Sequence, residues 1–450
     1  MATGRTFTRS GNKAALSMKE ILSTLSPKWR AMGEEGASAS APLPRTSLAH
    51  LAGLTKTPRD SFVRVHLPLS SSQGLRETML NSRGFLRVGR LLEECDSFAG
   101  VLAQLHCDDG DAGAAPPLLV TAAFDRVDVL ADAEGRPSPI PADGDLVLEG
   151  CVTHCGRSSL NIAIDVRGGG GGSRPLLQAA TTFVARDAAG RPVGVPRLAP
   201  STPLEAALWE AGRAAQEERR LKGGASLLRV PPTTGELGAV HAKFLDVVVG
   251  GGSGGSGSGS GGGGGGGSGG GGTWAWASPR QSASASAARR VTTESTRISS
   301  THVTHPQDRN IYGRVFGGHL MRLAYETAWA CGWRATAHAP RFLGMSDVLF
   351  KRPVEVGELL TVTAEVGFSE GPVYSVLVDI EHEKPGAAGS PPAISNQLSF
   401  LFRMEEDGHP APEFFPQSYS SAMKWVSGMR QLREGQLQRA ASQPRFPKEW

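Results

Sequence analysis

HPQDRNIYGRVFGGHLMRLAYETAWACG, residues 305–332, is the stretch from which the fold can be read. A polar loop carrying Asp308, Arg309 and Asn310 runs into a glycine pair, Gly317-Gly318, and the pair opens onto a helical pattern. Over 318–332, Leu320, Leu323, Thr327 and Ala330 mark one apolar line, and Met321, Ala324, Ala328 and Cys331 mark an adjacent one. A helix that is apolar over most of its circumference belongs inside a fold. Its small residues predict that another layer approaches it closely.

Outward from this helix, the chain repeats itself. One block reads RVGRLLEECDSFAG, VTAAFDRVDVL, GDLVLEGCVTHCGRSSLNIAIDV and LLQAATTFVARD; the other reads VFGGHLMRLAYETAWACG, RFLGMSDVLF, GELLTVTAEVGFSEGPVYSVLVDIEHE and ISNQLSFLFRME. Each is a helix followed by alternating, β-branched-rich strands, with a turn at 156–157 or 370–372. Asp128 and Asp347 occupy equivalent strand positions, and the glycine-rich runs at 168–172 and 386–389 interrupt the same hairpin. The pattern predicts an α+β unit made twice, with an antiparallel sheet curling around a long helix.

The remaining chain divides around these blocks. We expect an N-terminal extension at 1–58, blocks at 59–200 and 293–408, a helical linker at 201–248, a Gly/Ser-rich linker at 249–292 and a C-terminal tail at 409–450. STPLEAALWEAGRAAQEERRL reads as a charged amphipathic helix capped by Ser201 or Thr202. Arg5, Arg9, Lys13 and Lys19 precede the first acid, Glu20, a composition shared by organellar transit peptides and by disordered tails. The net charge of +4 suits phosphate-bearing metabolites and is too small to argue for nucleic acid. No run approaches the roughly 18 apolar residues of a membrane-crossing helix. The five cysteines are few and odd in number, which points to a reducing compartment.

FGGHLM followed by SDVLFKRPVEVGELLTV resembles the hotdog fold of acyl-CoA thioesterases, and two copies resemble its tandem, double-hotdog form. HPQDRNIYGRVFGGHLMRLAYE, with PRDSFVRVHLPL and LRVGRLLEECDS, is similar to the mitochondrial acyl-CoA thioesterase 9 family over 59–248 and 293–425. The resemblance implies a mitochondrial hydrolase of fatty acyl-CoA, with plastid and cytoplasm as alternatives, assembled into a homo-oligomer and needing no cofactor. It also implies a site shared between units, with an asparagine before one helix and an acid within the other. By position these are Asn310, eight residues before Gly318, and Asp96, seven residues after Gly89. Tyr325 holds the acid's place in the second block, and Asn81 shares Asn310's offset without the HPQDRN context. One complete site per chain follows.

Thioester hydrolysis needs an oxyanion donor, a base for water and a grip on coenzyme A. Helix N-terminal amides favour a developing oxyanion, and glycines at 317 and 318 let the thioester approach them. Asp96 is the candidate base, or alternatively a nucleophile. Spacing alone also fits an exposed helix face shared with Glu93 and Glu94. Asn310 suits holding water or the thioester oxygen, and equally suits a turn or cap. Asp308 and Arg309 are expected to shape the loop through a local salt bridge. His305 reads as a structural loop residue. Arg314, Arg322, Lys351 and Arg352 are candidates for coenzyme A phosphates. Cys151, His154 and Cys155 read as strand filling; no metal site is expected. The rival functions are a non-catalytic acyl-CoA sensor and a hotdog enoyl-CoA hydratase. The hydratase pattern is broken here, because Gly313 stands where its histidine belongs.

Overall fold

The computed structural model describes residues 5–8, 18–26, 48–111, 116–130, 140–142, 144–168, 174–187, 189–225, 227, 230–250, 290–386, 392–404, 410–439 and 445–446. The Gly/Ser stretch 251–289 and most of the expected N-terminal extension lie outside the described residues. The first half runs β1 (Arg5–Thr8), α1 (Met18–Leu25), β2 (Thr55–Lys56), β3 (Val63–Leu67), α2 (Gln73–Met79), α3 (Val88–His106), β4 (Leu118–Val129), β5 (Leu146–Cys155), β6 (Ser159–Gly168), β7 (Arg174–Arg186) and β8 (Arg197–Leu198). Helices α4 (Pro203–Ala225) and α5 (Thr234–Gly250) follow. The second half runs β9 (Arg290–Thr292), β10 (Ile298–Val303), α6 (Gly317–Thr336), β11 (Pro340–Phe350), β12 (Leu359–Glu370), β13 (Val373–Glu383), β14 (Ala393–Met404), β15 (Glu413–Phe415) and α7 (Tyr419–Arg439).

The fold is the tandem hotdog. Eleven strands form one sheet in the order β1-β3-β5-β6-β7-β4-β11-β14-β13-β12-β10. Five antiparallel strands wrap α3 and five wrap α6, while β1 adds in parallel to β3 at one edge. The two units fuse where β4 pairs antiparallel with β11, from Gly344 opposite Asp128 to Leu349 opposite Ala123. Each unit therefore has one strand more than the repeat alone reveals. These are β3 and β10, which precede the helices and pair across them with β5 and β12. In β3 the alternation is regular: Val63, Val65 and Leu67 face inward and are fully buried.

The central helices behave as their patterns demand. Met321, Ala324, Ala328 and Cys331 are completely buried in α6. In α3 every residue from Gly89 to His106 is buried. Each fully buried large aliphatic side chain contributes about 1.5–3 kcal/mol. Helix α6 ends at Ala337, which takes a left-handed φ of 63° and donates its N–H to the Trp333 carbonyl. Thr202 caps α4: its hydroxyl accepts from the Glu205 amide at 3.2 Å and Glu205 accepts from the Thr202 amide at 3.2 Å. The segment expected as a C-terminal tail carries α7, which buries Trp425, Val426, Met429 and Leu432. Further on, Phe446 reaches back to the first unit, packing with Phe62, Cys151, Ala163 and Leu208.

What positions the site is the contact between α3 and α6. Near the start of α6, a Cβ placed on Gly318 would lie 2.9 Å from the Glu93 Cα and 3.1 Å from the Asp96 Cβ. Near the start of α3, a Cβ on Gly89 would lie 3.2 Å from the Arg322 Cγ and 3.3 Å from the Tyr325 Cδ1. Glu93 and Asp96 stand as far beyond Gly89 as Arg322 and Tyr325 stand beyond Gly318. The helices thus meet at two related crossings: the first holds the fully buried Asp96, while at the second the partly exposed Glu326 accepts from Arg87 beside Tyr325.

Candidate active site

At the first crossing, Asp96 lies between the units and is 0% exposed. Its Oδ2 accepts the Gly318 N–H at 2.6 Å and its Oδ1 accepts the Thr121 hydroxyl at 2.9 Å. Burial raises the Asp96 carboxyl to about 7, while the hydrogen bonds from Thr121 and Gly318 pull in the opposite direction and nearby Glu93 raises it further. A carboxyl at that level changes protonation near neutral pH, as a general base requires. Glu93 and Glu94 are buried as well, so the exposed helix face that spacing allows is not present. The Arg90 guanidinium, itself buried, sits against both, and Arg322 of the other unit lies 3.0 Å from Glu93.

The glycine pair serves this contact. A Cβ on Gly317 would lie 3.0 Å from Asp96 Oδ2 and 3.0 Å from the Phe350 ring. The first amides of a helix have no intrahelical acceptor. Here His319 and Leu320 turn back to the Phe316 carbonyl, and Gly318 serves Asp96. Of the two amides expected to meet an oxyanion, the one at 318 therefore holds the acid. No hydrogen bond among the described residues uses the Gly317 N–H.

Asn310 is partly buried and spends its Oδ1 on a turn, accepting from Tyr312 N at 2.9 Å and from Arg314 N at 3.2 Å. Gly313, with φ of 80°, closes that turn. Asn81 does the same with Arg83 and Phe85, and Gly84 has φ of 79°. Asn310 and Asp96 share no hydrogen bond among the described residues. The Asn310 loop nevertheless docks on the first unit, because the Tyr312 hydroxyl accepts from Leu119 N at 3.1 Å and pairs with Gln104.

The other expected residues are placed as follows. Asp308 accepts the His305 amide at 2.8 Å and caps a short helical turn, so the expected Asp308–Arg309 salt bridge gives way to capping. Arg322 lies between His319 and Glu93, 3.0 Å from each. Arg314, Lys351 and Arg352 are exposed; Arg314 comes three residues before Gly317, and Lys351 follows Phe350, whose ring meets Gly317. Lys351 contacts Gln397, and Arg314 pairs through its backbone with Glu355. Cys151 is buried in strand packing, and the Cys155 sulfur lies 3.3 Å from the His106 ring. Thr121 is the residue that sequence reading missed. The signal was a hydroxyl within the otherwise apolar VTAAF run.

The chain is 29% identical over 380 residues to the acyl-coenzyme A thioesterase 9, mitochondrial, of Bos taurus, spanning 84% of this chain and 78% of that protein. The Homo sapiens protein of the same name is 28% identical over 83% of this chain and 77% of its own length. The chain is similar over most of its length to the acyl-coenzyme A thioesterase 9 family. An acyl-coenzyme A thioesterase 4, mitochondrial, of Humulus lupulus is 30% identical across 78% of this chain and 61% of that protein. No family model matches the chain. Among solved structures, an acyl-CoA hydrolase from Bacillus cereus aligns with 34% of this chain and 93% of its own, at 17% identity and a TM-score of 0.32. In this chain the two crossings differ at one matched position, Asp96 against Tyr325.

Proposed function

We propose that the chain hydrolyses fatty acyl-CoA thioesters to free acid and coenzyme A, at one site per chain built on the first crossing. The observation that carries this reading is the buried Asp96 carboxyl, raised to about 7 and aimed by Thr121 and the Gly318 amide. Ionised Asp96 takes a proton from water as the water oxygen bonds to the thioester carbonyl carbon. The carbonyl oxygen becomes an oxyanion at the start of α6, where the Gly317 N–H is the available donor. One such donor supplies about 100- to 1,000-fold in rate. Collapse breaks the carbon–sulfur bond, and the proton on Asp96 passes to the departing thiolate.

Asn310, fixed by its turn, keeps its amide NH2 for the water or the carbonyl. Exposed Arg314, Lys351 and Arg352 suit the coenzyme A phosphates. The family's names favour a mitochondrial location for this chain, with plastid as the alternative. Assembly beyond one chain belongs to the same reading. Release of free thiol from acyl-CoA esters of graded length tests the activity. Saturable release at one or more lengths is expected; background release across the series contradicts the reading and favours a sensor.

A further inference from the structure

The second crossing is not simply an empty counterpart of the first. A cleft of about 60 Å³ opens there, with Asn81, Arg83, Val88, Tyr325, Trp329 and Phe342 among its lining. Its polar groups have the opposite character to those at Asp96. Tyr325 is only 9% exposed, yet no hydrogen bond among the described residues holds its hydroxyl. Burial raises its phenol far above the usual range, so it remains a neutral donor at all physiological pH. The ring is fixed by edge-on packing against Phe342 and Phe400, at 5.3 and 5.9 Å between centroids. Asn81 Oδ1 is consumed by its own turn.

A cleft that offers the Tyr325 hydroxyl as a donor, no buried acid and two arginines, Arg83 and Arg341, on its lining suits an oxygen anion, and Glu326 beside Tyr325 is already paired with Arg87. Its apolar walls suit a short hydrocarbon. We propose that the second crossing binds the carboxylate of a short-chain carboxylic acid, held by the Tyr325 hydroxyl beside Arg83 and Arg341, with the chain against Val88, Trp329 and Phe342. The crossing that keeps its acid repels this ligand; the one that has tyrosine accepts it. That the ligand is the product of hydrolysis rests on the proposed activity; the binding itself does not.

Calorimetric titration of the full chain with butyrate, hexanoate and octanoate tests the site without reading turnover, so a failure of the proposed activity is seen separately. Saturable binding at one site per chain is expected. Tyr325→Phe, which removes only the hydroxyl, should weaken it about ten- to a hundredfold while thiol release is unchanged. Asp96→Asn should leave it intact. Val88→Phe, filling the cleft from another wall, should weaken it too, giving a second test if Tyr325→Phe melts early. Absence of saturable binding overturns the proposal. So does equal affinity in Tyr325→Phe, equal binding of hexanol, or loss of binding in Asp96→Asn.

Discussion

Replacing Asp96 by asparagine should make the protein more stable at alkaline pH, and the gain should depend on pH. In the unfolded chain this carboxyl titrates near 3.8; in the fold, burial lifts it to about 7. The sign follows from which state holds the proton. Below about pH 4 both states are protonated and Asp96 carries no penalty. As pH rises toward 7 the unfolded state ionises while the folded state does not, so stability falls, and above 7 the full deficit persists. A gap of about three pKa units corresponds to roughly 4 kcal/mol. About 2 kcal/mol of it develops between pH 5.5 and 8.5. Asparagine removes the titration, but its carboxamide accepts from only one of the two donors, Thr121 and Gly318. The unmatched donor costs about 1–3 kcal/mol. Urea unfolding of wild type and Asp96→Asn at the two pH values isolates the pH-dependent part. The variant's stability relative to wild type should rise by about 2 kcal/mol from pH 5.5 to 8.5. An unchanged difference would refute the account of a buried, proton-holding Asp96.

Thr121→Val removes a hydrogen bond to the ionised form, so the midpoint of the pH profile for kcat/KM, expected near 7 and rising with pH, should move upward. An unmoved midpoint contradicts the role given to Thr121. Alanine at Gly318 meets the Glu93 Cα and should destabilise by about 1–3 kcal/mol in thermal melts, despite alanine's better helix propensity. Alanine at Gly89, which meets a flexible Arg322 side chain and a ring at 3.2–3.3 Å, should cost less; the reverse order would count against the crossing geometry. Asn310→Asp keeps the acceptor for Tyr312 and Arg314 while removing the NH2, so melting should hold while kcat falls about tenfold or more. A kcat equal to wild type would reduce Asn310 to a turn residue.

Much of this architecture is legible along the chain because the repeat makes each half a check on the other. The helix of 318–332 emerges as Gly317–Thr336, and the turns at 156–157 and 370–372 fall between β5 and β6 and between β12 and β13. Strands β3 and β10 escape notice because each lies before its helix, and its partner strand lies more than fifty residues away. Helix α7 escapes because its polar residues mask a buried line from Trp425 to Leu432. At the site, the family pattern points to Asp96, yet local spacing leaves it indistinguishable from a solvated acid beside Glu93 and Glu94. Its burial exists only once α6 lies across α3. The Thr121 and Gly318 hydrogen bonds are likewise long-range, and no local pattern encodes them.

Thiol release by Asp96→Asn, at substrate concentrations that give kcat and KM separately, bears most directly on the account. With the Gly317 amide and Asn310 untouched, KM should change little while kcat falls about a hundredfold or more. A variant that turns over acyl-CoA at the wild-type rate would remove Asp96 from the chemistry and with it the single, shared site.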